Sequence, residues 1–461
     1  MIEYDFKNQE IVDIVNNLII YSVSKGASDI HFDPFEEGIK VRLRIDGVLQ
    51  DHTVVPKAYQ RNLTTRIKLI SNMNITESRL PQDGAIKGNI NGIDLDIRVS
   101  SLATNLGEKI VMRILDYSQS ANGLDSLGFS PKNLEKIKRM ISVPNGIILI
   151  TGATGSGKST TVYTMLQTLN TPETNIITVE DPIEMNIEGI NQVQVNSEIG
   201  LTFGRVLRSI LRQDPNIILI GEIRDSETAQ IAVRASITGH LVFSTIHTNN
   251  SLNTIERLMD MDVERYLLSS ALEGIVSQKL ARMLCPKCKR LRETTAYEKV
   301  VFKKVLNKDV NEIYDVGEGH CEECRNGYKG RMAIQEVLLI DDYLRDAIND
   351  ETLPREELRK LVYTENVTTL LQDGLEKVLA GYTSFNEIYK LIEIDDELDS
   401  HYSADMLGNR LMKAPVEEAT IMEDEDTNNL EGVSQTISGS METSNNDDDD
   451  LTEVLDLGAM N

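Results

Sequence analysis

The stretch GIILITGATGSGKST, residues 146–160, decides the fold. An apolar run leads directly into Gly152, Ala153, Thr154, Gly155, Ser156, Gly157, Lys158, Ser159 and Thr160. This is G-x-x-x-x-G-K-[ST] in the strand–loop–helix setting the motif requires. Glycines there let successive backbone N–H groups turn toward phosphate oxygens. Lys158 is spaced to reach the β- and γ-phosphates of ATP, and the Ser159 hydroxyl to ligate Mg²⁺. A helix starting near Lys158 adds its positive end to the same anion site.

Further strand-like runs, NIITVE, NIILIGE and LVFSTI, alternate with helical stretches after residue 131. The alternation predicts an α/β domain with a largely parallel sheet. NIILIGEIRD ends its strand at Gly221-Glu222, with Asp225 close behind, so Glu222 is spaced to hold Mg²⁺ or its water. TVEDPIE ends another strand with Glu180, Asp181 and Glu184, any of which is a candidate to polarise the attacking water. Each of these acids also has a plainer reading as a helix cap or solvated turn. His240 precedes the run LVFSTI and His247 follows it. Ligands gather at the carboxyl ends of strands in such sheets, which makes His247 a candidate γ-phosphate sensor. His240 is carried as a second candidate, with a structural role equally open.

Upstream, residues 9–24 space their apolar side chains as an amphipathic helix. KVRLRIDGVLQ (40–50) predicts a hairpin around Asp-Gly, residues 57–74 a second helix, and GIDLDIRVSSL and EKIVMRIL two strands. The expected organisation is a small α+β domain over 1–117 and a linker over 118–130. A phosphate-loop motor domain, with C-terminal helices from about 341, fills 131–395, and an acidic tail spans 396–461.

The net charge is -26; residues 401–461 hold 15 Asp+Glu against 2 Lys+Arg, half of that charge. The tail's low apolar content predicts disorder. The acidic balance argues against a nucleic-acid binder that works through a broad basic surface, although RMLCPKCKRLR is locally basic. A nucleic-acid motor with a zinc lobe is therefore the competing class. No apolar run approaches the ~20 residues that span a bilayer. The start lacks a secretory leader, so a cytoplasmic location is expected.

All 4 cysteines fall in two C-x-x-C pairs, Cys285/Cys288 and Cys321/Cys324, separated by 32 residues. Four thiolates suit a closed, structural Zn²⁺ site within a lobe over about 284–332. A redox reading lacks the βαβ context it needs. His320 beside Cys321 is a spare ligand.

GATGSGKSTT, TVEDPIE, LRQDPNIILIGEIRD and TGHLVFSTIHTNN, in this order, resemble the Walker A, Asp-box, Walker B and His-box motifs of the type II secretion and type IV pilus assembly ATPases. SDIHFDP, VRLRIDGVL and LPQDGAI resemble the domain that precedes the motor in that family. The likeness covers roughly residues 10–395. It implies a RecA-like motor acting as a homo-hexamer on the inner face of the cell membrane. There it would drive pilin or pseudopilin assembly through a polytopic inner-membrane platform protein. It further implies that Lys158 and Ser159 bind phosphate and Mg²⁺, that Glu222 is the Walker B acid, and that Glu184 is the catalytic base. Arg98 and Arg113, in DIRVSSLATNLGEKIVMRIL, would reach nucleotide within the ring. The tetracysteine element implies assembly rather than retraction. By the same resemblance the chain would be a short, competence-type member without the extra N-terminal docking domain; the acidic tail has no counterpart.

Overall fold

Ile147, Ile148, Leu149 and Ile150 are all fully buried, and they divide by parity. Ile147 and Leu149 join one hydrophobic core, and Ile148 and Ile150 join another on the opposite face. A strand covered on both faces has no polar side to present, so it reads as a continuous apolar run. The computed structural model describes residues 4–90, 93–115, 123–317, 321, 324, 326–394 and 398. The expected tail, apart from Leu398, lies outside them, as do residues 116–122, where the expected first domain meets the linker.

The N-terminal part opens with helix α1 (Ile11–Ser24), followed by strands β1 (Ala27–Phe35), β2 (Gly38–Ile45) and β3 (Val48–Pro56). Helix α2 (Gln60–Ile70) and strands β4 (Gln82–Ile90), β5 (Ile93–Thr104) and β6 (Gly107–Ile114) complete it. The six strands form one antiparallel sheet in the order β3-β2-β1-β6-β5-β4. Leu18 and Ile19 of α1 and Leu63 and Ile67 of α2 pack with Ile30 and Phe32 of β1 in a single core. The β2–β3 turn uses Asp46 (φ 50°) and Gly47 (φ 83°), the left-handed pair that a two-residue hairpin favours.

Helix α3 (Pro131–Ile141) leads into the second sheet. Its elements are β7 (Gly146–Thr151), α4 (Lys158–Leu169), β8 (Ile176–Glu180), β9 (Asn191–Gln194), α5 (Phe203–Ile210), β10 (Ile217–Ile220), α6 (Ser226–Ile237), β11 (Leu241–Ile246), α7 (Ser251–Asp260), α8 (Arg265–Ala271) and β12 (Leu272–Leu284). A small hairpin-like sheet, β13 (Arg290–Glu293) with β14 (Glu312–Asp315), flanks α9 (Ala296–Leu306). Strand β15 (Tyr328–Leu339) then returns to the main sheet, followed by α10 (Asp342–Asn349), α11 (Arg355–Val362), α12 (Leu370–Leu379) and α13 (Phe385–Leu391).

The seven-stranded order is β15-β12-β7-β11-β10-β8-β9, parallel except for the antiparallel β12–β15 pair. Helices α5 to α8, with α10 and α11, cover one face, and α3 and α4 cover the other. This is the doubly covered α/β architecture that the phosphate-loop stretch predicts. The carboxyl ends of β7, β8, β10 and β11 therefore lie along one edge.

Candidate functional site

β7 delivers Gly152, and α4 begins at Lys158. Gly152 has φ 146°, and a Cβ there would sit 2.4 Å from the Gln278 carbonyl oxygen, so only glycine fits the loop's first position. Lys158 is 9% exposed. Its Nζ donates to the Gly152 (2.7 Å) and Ala153 (3.1 Å) carbonyls, which holds the ammonium across the mouth of the loop. Burial lowers its pKa, and the nearby Glu222 carboxylate opposes that shift. Ala153, Thr154, Gly155 and Ser159 are exposed, Gly157 and Thr160 half-buried. Ser156 Oγ is buried and, among the described residues, has no hydrogen-bond partner. A cationic head, an unspent hydroxyl and exposed loop backbone compose a donor set that fits a polyphosphate, with the Ser159 hydroxyl available to a hard cation.

Gln278, in the middle of β12, braces this loop. Its Nε2 donates to the Ser156 carbonyl (2.8 Å), and its Oε1 accepts from Thr161 Oγ1 (2.9 Å). The sequence reading did not single it out. It sits in LEGIVSQKLARML, where polar and apolar residues mix, so no local signal marks it.

Glu222 follows β10 by two residues, and its side chain is 16% exposed. His247 Nε2 lies 3.5 Å from Glu222 Oε2. Arg224 donates to Glu222 Oε1 and stands 3.5 Å from Asp181 Oδ2, so this arginine joins two strand ends. The Thr248 N–H donates to Thr151 Oγ1 (3.1 Å), which ties the His247 turn to the end of β7. The structure thus brings Lys158, Glu222 and His247 to one end of the sheet.

Other candidates separate from this group. His240 stands at the amino end of β11, and its Nδ1 lies 2.8 Å from the Ala235 carbonyl oxygen. Six residues of parallel strand separate it from His247, at the opposite end of β11. Asp225 caps α6 by accepting the Thr228 N–H (2.8 Å). Glu180 is buried and accepts hydrogen bonds from Thr178, Gln192 and Tyr163. Glu184 is more open, and Arg98 Nη1 approaches its Oε2 at 3.1 Å. Arg98 also donates to the Ile183 carbonyl. Arg113 instead pairs with Asp29 Oδ1 (3.0 Å) inside its own sheet.

The cysteines meet because β12 and β15 are antiparallel neighbours, with Leu284 opposite Tyr328. One C-x-x-C follows β12 and the other precedes β15, so the 32-residue insertion leaves and returns at the same place. Cys285 N–H donates to the Gly327 carbonyl (2.8 Å), and Cys288 N–H to the Cys285 carbonyl (3.1 Å). All four Sγ atoms lie within 4.8 Å of one another, with Cys285–Cys321 at 3.8 Å and Cys288–Cys324 at 3.5 Å. A tetrahedron with Zn–S bonds of about 2.3 Å has S–S edges of about 3.8 Å. The donor set therefore fits zinc in both chemistry and spacing. His320 lies outside the described residues.

Among the described residues no helix is long and apolar enough to cross a membrane. The chain matches the profile of the type II/IV secretion system proteins over residues 5–390. It is 43% identical over 382 residues to the type II secretion system ATPase E of Vibrio cholerae serotype O1, covering 83% of this chain and 75% of that protein. It is also 43% identical over 386 residues to the type IV pilus assembly ATPase PilB of Acinetobacter baylyi, covering 83% and 66%. Among solved structures, the pilus retraction motor PilT with bound ADP aligns at TM-score 0.58 and 25% identity, covering 84% of this chain and 98% of PilT. The Legionella pneumophila ATPase DotB shares the fold at TM-score 0.63 and 21% identity, with coverage of 84% and 98%. With motif, sheet topology and relatives in agreement over the same residues, the chain belongs to the type II/IV secretion system protein family and is one of its ATPases.

Proposed function

We propose that this chain is a Mg²⁺-dependent ATPase that works as a ring of six copies on the cytoplasmic face of the inner membrane. It drives assembly of a type IV pilus, a competence pseudopilus or a type II secretion pseudopilus through a polytopic platform protein. The observation that carries this reading is the meeting of Lys158, Glu222 and His247 at the carboxyl ends of β7, β10 and β11.

Phosphoryl transfer to water is mostly positioning and charge neutralisation. Lys158 binds the β- and γ-phosphates, and the loop N–H groups orient them. His247, held beside Glu222, senses the γ-phosphate. Ser159 and Glu222 would hold Mg²⁺, which when bound supplies neutralisation of the phosphate oxygens. Glu184 takes the proton from the attacking water. Arg98 and Arg113 bring cations to a nucleotide within the ring. Zinc on Cys285, Cys288, Cys321 and Cys324 is structural, since four thiolates leave no open position. That lobe favours assembly. The likeness to a retraction motor keeps retraction as the second reading.

The test is the effect of partners on ATP turnover. A cytoplasmic fragment of the platform protein is expected to stimulate it, while DNA and RNA leave it unchanged. Stimulation by nucleic acid alone would overturn the assignment in favour of a nucleic-acid motor.

A further inference from the structure

Glu180 sits at the end of β8, where a reacting acid is expected, yet it is 3% exposed. Its Oε1 accepts Thr178 Oγ1 (2.5 Å) and Gln192 Nε2 (3.0 Å), and its Oε2 accepts the Tyr163 hydroxyl. Buried carboxylates that persist are hydrogen-bonded ones, and this one accepts three bonds. Its two reaching partners have second bonds. The Tyr163 oxygen accepts the Glu184 N–H at 3.2 Å. Gln192 Nε2 also donates to the Met185 carbonyl (2.8 Å), and its Oε1 accepts the Ile187 N–H (2.8 Å). Tyr163 belongs to α4, the helix that begins at Lys158; Gln192 belongs to β9. The segment bearing Glu184 is therefore fastened on one side to the phosphate-loop helix and on the other to the edge strand. Burial, then the Glu180 charge, push the Tyr163 phenol far above its ordinary range, so it stays a proton donor to Glu180. Meanwhile the Glu184 side chain remains 38% exposed, open to substrate.

We infer that Tyr163, Glu180 and Gln192 form a positioning node that sets the distance between Glu184 and the phosphate loop during ATP hydrolysis. The inference rests on the reading of Glu184 as the base. In that step the water oxygen bonds to the γ-phosphorus while the bond from that phosphorus to the β–γ bridging oxygen breaks. ADP leaves with the electron pair, and the water proton passes to the Glu184 carboxylate, which later returns it to solvent. The node touches none of these atoms. It matters because misplacing a reacting group by about 1 Å costs roughly 10²-fold in rate.

The experiment uses the full chain with Tyr163→Phe, Gln192→Met and Glu184→Gln, alone and combined. Tyr163→Phe is expected to lower kcat at least about tenfold, while KM for ATP and Kd for ADP stay within about twofold, the signature of a lost transition-state interaction. Its melting midpoint should stay close to wild type. Added to Glu184→Gln, it should lower the residual rate no further, because there is no base left to position. Wild-type kcat in Tyr163→Phe beside an inactive Glu184→Gln would overturn the node and leave the base in place. Full turnover in Glu184→Gln would remove the base and the node with it. A parallel fall in kcat and nucleotide affinity, or additive losses in the double variant, would reduce the node to ordinary packing and overturn it. Gln192→Met reads the same quantities from the other side and decides the matter if Tyr163→Phe does not fold.

Discussion

Arg98 and Arg113 face each other directly across the β5–β6 pair, yet each is neutralised by a different carboxylate. Like charges placed opposite each other destabilise a sheet, and here the strain is divided. Arg113 turns to Asp29 within the same sheet, and Arg98 crosses to Glu184 on the motor domain. The two arginines are therefore not equivalent: one is held within its own sheet and the other contacts Glu184, the acid proposed as the base.

Arg98→Ala and Arg113→Ala are each expected to lower ATP turnover, by up to the ~10³–10⁵-fold that an arginine finger contributes in other phosphate-loop enzymes. If the contact that matters runs between subunits, inactive Arg113→Ala and inactive Lys158→Ala chains should partly restore each other when mixed. Full activity of the double Arg98→Ala, Arg113→Ala chain would reject both roles.

Lys158→Ala is expected to weaken nucleotide binding, since it removes a buried cation from the mouth of the loop. Glu222→Gln should bind ATP nearly as well as wild type and hydrolyse it about 10²-fold or more slowly, as for the loss of one transition-state contact. Equilibrium binding of a fluorescent ATP analogue beside phosphate release separates the two outcomes. Unchanged turnover in Glu222→Gln would exclude it.

Metal analysis of the purified chain should find one zinc per copy. With no metal bound, hydrogen bonding to the Cys324 and Cys321 sulfurs, then burial, pushes the Cys288 thiol up to about 12. Loading zinc must therefore release protons. A proton burst on titrating zinc into the chelated protein, measured with an indicator dye, is the check. Cys321→Ser should lower the melting midpoint of the lobe more than it alters ADP affinity.

Glu298 gives the lobe a pH signature of its own. It completes the cap of α9 with Thr295 and pairs with Arg292. Burial raises its pKa, but the Arg292 and Thr295 bonds outweigh that and hold it below the ordinary 4.5. A depressed carboxylate stabilises the fold above the unfolded value, and that contribution is lost as pH falls through the folded one. The midpoint difference between wild type and Glu298→Gln should thus be present at pH 7 and shrink steadily below about pH 4.5. A difference that grows with acidity would contradict the assignment.

The main sheet was legible where burial is two-sided. β7, β8, β10 and β11 are apolar runs because helices cover both faces, and a run of that kind is visible without knowing its neighbours. β12 was not legible. Ser277, Gln278, Lys279 and Arg282 interrupt it, and each is accounted for only by distant partners: Ser251, Ser156, the Leu391 carbonyl and Glu387. The same holds at the site. Lys158 and Glu222 are announced by local motifs, whereas Tyr163 acquires its meaning from Glu180 and Glu184, which approach it only after β8 has joined the sheet beside β10. His240 and His247 look alike in sequence; the direction of one strand tells them apart.

β12 also joins two places that chemistry alone would keep apart. Gln278 holds the phosphate loop from its middle, and Cys285 opens the metal knuckle just beyond its end. Six residues of β12 lie between them, a span of about 23 Å. The path from the cysteine cluster is covalent backbone as far as Gln278, and the Gln278 side chain then carries it to the Ser156 carbonyl of the phosphate loop. The cysteine cluster is thus the far anchor of a tie rod whose near end is the brace on the phosphate loop.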